Sequence, residues 1–113
     1  TEIRAFAEHC LSLGVKCVYV TLDSRGCLTY FKKRGKVVEE LVPSIKVEKV
    51  IDTTGCGDSF AGGLSYGLVQ NPDDYIGAAQ YANAFGALRT QGKTFDVFKS
   101  LEETNSIIAR GHV

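Results

Sequence analysis

Ile51-Asp52-Thr53-Thr54-Gly55-Cys56-Gly57-Asp58-Ser59-Phe60-Ala61-Gly62-Gly63 changes its period halfway along. The apolar, β-branched lead-in from Val47 to Ile51 reads as a short strand. After a polar turn, Phe60, Leu64 and Leu68 recur every four residues, so a helix is expected from about Asp58 to Gln70. Gly55 and Gly57 open backbone conformations closed to other residues and clear side chains from a close approach. The first N–H groups of a helix lack intrahelical partners and sit at the positive end of its dipole, which makes such a turn an anion site. Gly55, Cys56 and Gly57 could present N–H groups to charge building on a transferring phosphoryl group; a plain tight turn is the alternative. Asp58 is either the helix N-cap or a base that takes a proton from an attacking hydroxyl. Asp52 and Thr54 suit an Asx-type turn, or a cation held by side-chain and carbonyl oxygens. Cys56 is a small turn filler, or a thiol activated by the helix terminus.

Upstream, Ile3, Phe6, Ala7, Cys10, Leu11 and Leu13 keep one apolar helical face, with Gly14 as C-cap and Thr1 the one capping residue ahead of it. Val15 to Leu22 (VKCVYVTL) is almost continuously apolar, as in a strand covered on both faces. A helix followed so closely by a strand is half of a βαβ unit. Cys27 to Phe31 and Lys36 to Val42 read as a hairpin around Lys32-Lys33-Arg34-Gly35, whose cations form a solvated tip.

Downstream, Gly62, Gly63 and Gly67 each cost the helix about 1 kcal/mol relative to alanine, which implies another backbone packed very close. Asn71-Pro72-Asp73 ends that helix. A second runs from about Asp73 to Arg89 and a third from about Lys99 to Ala109. Asn83 stands among apolar neighbours of the second, as a satisfied core amide or one facing a ligand. The order of elements indicates an α/β domain whose sheet gains antiparallel strands toward one edge.

Composition bounds the function. The chain has 113 residues, 44% of them apolar, enough for one domain or part of one. Lys plus Arg equals Asp plus Glu at 13 each, so no net field favours nucleic acid or an anionic membrane. No apolar run approaches the ~18 residues of a membrane span, and Thr1-Glu2-Ile3-Arg4 lacks signal-peptide architecture. Cys10, Cys17, Cys27 and Cys56 form no CxxC pair and read as buried, reduced thiols of a cytoplasmic protein. With His9 and His112 scattered, a zinc site is not expected. Gly86 to Thr94 (GALRTQGKT) has five residues between its glycines where a P-loop has four, and it follows a helix instead of a strand. Gly55-Cys56-Gly57 lacks the third glycine of the dinucleotide fingerprint.

Asp52 to Gly63 closely resembles the C-terminal signature of the ribokinase-like (PfkB) carbohydrate kinases, D-T-x-G-A-G-D-x-F-x-G-G, with Cys56 where alanine is usual. Val20-Thr21-Leu22-Asp23-Ser24-Arg25-Gly26 is similar to the family's T-L-G-x-x-G segment, with Asp23 replacing a glycine. Tyr81-Ala82-Asn83-Ala84 falls where the family helix lines the adenine pocket. The resemblance implies a Rossmann-like α/β ribokinase fold, with residues 1–113 as its C-terminal nucleotide-binding and catalytic portion: a partial central sheet with helices on its faces. It also implies ATP-dependent phosphorylation of a sugar or nucleoside hydroxyl. Asp58 would be the catalytic base and Gly55, Cys56 and Gly57 the anion hole. Thr21, Ser24, Gly26 and Gly57 would flank the phosphates and ribose of ATP, with Asn83 near the adenine.

Asp52 and Thr54 match the first two positions of a monovalent-cation site, so the implied cofactors are ATP, Mg²⁺ and K⁺. The segment after Thr90 (QGKTFD) lacks the family's Gly-Ala and proline, leaving the remaining cation ligands unassigned. The family's sugar-gripping glycine pair, β lid and N-x-x-E segment have no counterpart here. An incomplete sheet and an exposed apolar face are therefore expected, and a homodimer formed through the lid would use regions outside this chain. Two other functions compete with a kinase: a nucleotide-binding module without catalysis, motivated by Asp23 and the altered loop after Thr90, and a pure interaction domain.

Overall fold

Helix α1 (Glu2–Ser12) gives way to β1 (Cys17–Thr21) through Gly14, whose φ of 100° suits only glycine. The computed structural model describes residues 2–113, the side chain of Phe95 excepted, so the expected cap Thr1 lies outside the described residues. β2 (Cys27–Lys33) and β3 (Lys36–Val42) form the expected hairpin. Arg34 and Gly35 take φ of 53° and 78° at its reversal, the two-residue turn whose twist matches the flanking strands. Cys17 pairs with Phe31 and Cys27 with Val42, giving an antiparallel three-stranded sheet in the order β1-β2-β3.

Alternation along the strands divides the sheet into two faces. Val18, Val20, Leu28, Tyr30 and Val37 share one face, which α1 covers with Ala7 and Leu11. The other face carries Tyr19 and Phe31 and receives α3 (Tyr75–Arg89). There the Tyr19 hydroxyl donates to the Tyr75 carbonyl at 2.9 Å, and the rings of Phe31 and Tyr75 lie 5.2 Å apart. α3 begins at Asp74, whose carboxylate accepts from the Gly77 amide at 2.9 Å.

α2 (Cys56–Gln70) runs antiparallel to α3 in the most extensive helix contact of the chain. A Cβ added at Gly63 would meet the Tyr81 carbonyl oxygen at 2.6 Å, and one at Gly67 would meet the Ala78 Cα at 2.6 Å. The glycine-driven approach expected from sequence is therefore present at two positions. Gly62 departs from it, since an added Cβ there meets nothing within 4 Å. α4 (Leu101–Arg110) starts at Ser100 and sets Ile107 into a core with Ile45, Ala84 and Leu88.

Two strand expectations need correction. Val47 to Ile51 joins no ladder and bends at Glu48. The Ile51 and Asp52 amides donate instead to the Thr90 carbonyl, at 2.7 and 3.3 Å, and only Lys46 makes an isolated bridge, with His112. Strand identity requires a neighbour, and none of the described residues supplies one. β1, expected to be buried on both faces, is half-buried because it lies at the edge of the sheet. Phe6 and Leu13 are 61% and 71% exposed, as an incomplete sheet implies.

Of the four free cysteines only Cys27 is buried; Cys10, Cys17 and Cys56 are half-buried. No helix among the described residues is long and apolar enough to cross a membrane.

Candidate active site

The N-cap of α2 is Gly55, in the left-handed conformation with φ 79° and ψ 7°. Asp58 is therefore the third residue of the helix, exposed to solvent, and the N-cap alternative for it falls away. The helix starts two residues earlier than periodicity suggested because a left-handed glycine turns the chain directly into its first turn. Within the turn, the Cys56 amide donates to the Thr53 carbonyl at 3.2 Å. The amides left facing outward are those of Gly57 and Asp58, since the first intrahelical bond runs from Ser59 to Gly55. The Asp58 amide has no signature in the sequence, because every residue but proline carries one.

Asp52 adopts the Asx turn, its Oδ1 accepting from the Thr54 amide at 2.8 Å. That bond, with the positive charge of Arg89 and Lys93, holds its carboxyl below the usual carboxylate range. Burial pushes the Cys56 thiol up, against the pull of Arg89, so it lacks the lowered pKa of an activated nucleophile. Its Sγ lies 3.6 Å from the Gly86 carbonyl, tying the turn to α3.

Beside this turn opens a cavity of about 600 Å³, within the range of small-molecule sites. Thr21, Ser24, Gly26, Cys56, Gly57 and Asn83 all line it, although they come from three separate segments. Gly55, Asp52, Thr54 and Asp58 do not line it; they sit along the turn and the first turn of α2.

The wall between the segments is the Val42-Pro43-Ser44 stretch, which meets the cavity through Ser44. Gly26, at φ 107°, packs so tightly on it that an added Cβ would lie 2.1 Å from the Val42 carbonyl oxygen. The Ser44 hydroxyl donates to the Ser24 carbonyl at 2.5 Å. Asn83 is buried, and its amide donates to the Val42 and Pro43 carbonyls at 3.2 and 3.0 Å. It is thus a satisfied core amide whose donor is committed, while its side chain still borders the cavity. Asp23 (φ 53°) and Lys46 place one charge of each sign on the lining. Ser44, Lys46 and Thr90 line the cavity without any sequence motif to announce them, and Phe60 lines it from within the signature.

No three His, Cys, Asp or Glu side chains gather as a metal site among the described residues. The residues present fit a nucleotide with its phosphates at the helix terminus. A divalent ion fits only as one carried chiefly by phosphate oxygens.

Fold and cavity define an α/β domain with an anion-receptive helix terminus at the rim of a ligand-sized cavity. The sequence matches the family described as pfkB family carbohydrate kinase over residues 1–96, and the chain belongs to that family. It is 40% identical over 86 residues to fructokinase-1 of Oryza sativa subsp. japonica, covering 70% of this chain and 25% of the rice protein. Its fold superposes on a fructokinase double mutant from Vibrio cholerae O395, solved with fructose, ADP and potassium ion, at TM-score 0.75 and 28% identity. That match covers 94% of this chain and 34% of the other. A nucleoside kinase from Burkholderia thailandensis in complex with inosine gives TM-score 0.76 at 25% identity, covering 95% of this chain and 35% of that one. The chain spans about a quarter to a third of the length of these relatives.

Proposed function

We propose that the protein carrying this chain transfers the γ-phosphoryl group of ATP to a hydroxyl of a sugar or nucleoside, and that this chain supplies the nucleotide cavity, the anion hole and the base. The observation that carries this reading is the single cavity bordered by Thr21, Ser24, Gly26, Asn83 and the start of α2. Adenine and ribose occupy the part lined by Ser44 and Asn83, and the phosphates meet the Gly57 and Asp58 amides. Bound ATP supplies the electrophilic phosphorus.

The Asp58 carboxylate takes the proton from the acceptor hydroxyl as its oxygen attacks, and the turn's amides hold the charge that develops. Asp52, kept ionised by the Thr54 amide, retains a second carboxylate oxygen for a monovalent cation such as K⁺. Mg²⁺ accompanies the phosphates. The acceptor is a small polyol held by residues outside this chain.

The test is Asp58→Asn in the full-length protein, assayed by ADP release over a panel of sugars and nucleosides. Turnover should fall at least ~100-fold, the usual share of general-base catalysis. Near-normal turnover would remove Asp58 as the base. A second reading, nucleotide binding without transfer, is favoured by the Asp23 carboxylate on the cavity lining. It predicts ATP binding by calorimetry and no phosphorylated product with any acceptor.

A further inference from the structure

We propose that Arg89 is a positioning residue for phosphoryl transfer: its guanidinium, seated behind the Gly55–Gly57 turn, supplies fixed positive charge that strengthens the hold of the turn's amides on nucleotide phosphate. The inference rests on the kinase reading above and deepens it. Arg89 ends α3 and is only 5% exposed. A buried guanidinium is costly unless carbonyls and dipoles offset it. Its Nη1 donates to the Gly92 carbonyl at 2.9 Å, and it stands at the negative end of the α3 dipole.

These contacts explain how the charge is tolerated, and Nε shows where it is aimed. A methyl group placed on Gly55 would lie 3.4 Å from Nε, so the guanidinium lies directly against the left-handed glycine that launches α2. The neighbouring Thr90 carbonyl takes the Ile51 and Asp52 amides, fixing the end of α3 to the approach of the turn. A neutral side chain of equal length would fill the same space. What the cation alone adds is attraction for an anion in front of the amides, exerted from a buried position where salt and water screen the charge less than on an open surface.

Full-length wild type, Arg89→Met and Arg89→Lys are titrated calorimetrically with ADP and with adenosine. Wild type should bind ADP more tightly than adenosine. Arg89→Met should weaken ADP about tenfold or more while moving adenosine less than about twofold, and Arg89→Lys should keep ADP within about threefold of wild type. Equal weakening of both ligands by Arg89→Met would make Arg89 a packing residue and overturn the inference. If Arg89→Met does not fold, Arg89→Lys decides alone: a tenfold loss of ADP affinity overturns the inference. Wild type that binds neither ligand overturns the kinase reading itself, an outcome distinct from a failure of Arg89.

Discussion

Adding one methyl group to α2 should have opposite effects at two adjacent residues. In Gly63→Ala the new Cβ lies 2.6 Å from the Tyr81 carbonyl oxygen and 2.9 Å from the Ala82 Cα, where ordinary contact begins near 3.4 Å. Both obstacles are main-chain atoms of α3, which cannot rotate aside, so the helices must part by several tenths of an ångström. Overpacking of this kind costs ~1–3 kcal/mol, and the rigid neighbours put Gly63 in the upper half of that range. Alanine returns about 1 kcal/mol of helix propensity, leaving a net loss of roughly 1–2 kcal/mol. In Gly62→Ala nothing lies within 4 Å of the new atom, so the propensity gain stands alone and stabilises by about 0.5–1 kcal/mol. Urea unfolding of the full-length protein, with unchanged m-values, reads both effects as opposite shifts of the midpoint. Two variants moving in the same direction would refute the account of α2–α3 packing, as would Gly63→Ala unfolding at the wild-type midpoint.

Gly26→Ala should be harsher. Its Cβ would lie 2.1 Å from the Val42 carbonyl oxygen and it forces alanine to a φ of 107°, so a loss of ~2 kcal/mol or more is expected. Calorimetry should show weakened nucleotide binding as the cavity wall shifts, and unchanged affinity would detach that wall from the site. Alkaline stability should report Cys17, whose thiol is raised from 9.0 to about 11 chiefly by burial. The folded state favours the protonated thiol, so its contribution is fully present below pH 9 and is lost as pH rises through about 11. Denaturation followed across that window should show a steeper decline for wild type than for Cys17→Ala; parallel curves would contradict it.

The turn from Asp52 to Gly63 was legible because its information is local: glycine spacing, a period change and a carboxylate in the first helical turn. The hairpin was legible for the same reason. Val47–Ile51 misled because its composition suits a strand but a ladder needs a partner, and the amide at its end, that of Ile51, went to Thr90. Gly62 and Gly63 are indistinguishable by type, yet successive residues on a helix point about 100° apart, so only one of them meets α3. The start of α2 was misplaced because the left-handed state of Gly55 is a conformational fact that composition cannot show. Arg89 reads in sequence as the ordinary basic end of an amphipathic helix. Its burial depends on a loop that folds back through Gly92.

The cavity wall at Val42–Ser44 is met mainly through its peptide oxygens: Asn83 donates to two of them, and Gly26 nestles against one. A carbonyl oxygen is common to every amino acid. The exposed Pro43 side chain can therefore change with little effect on the wall, while buried Val42, Ser44 with its bond to Ser24, and the approaching Gly26 and Asn83 are constrained by packing, size and donor geometry. Among distant members of such a lineage, position 43 should look variable in a sequence comparison while the path of the wall remains constant in space. A mutational scan should find the penalty concentrated on the residues that reach for the wall.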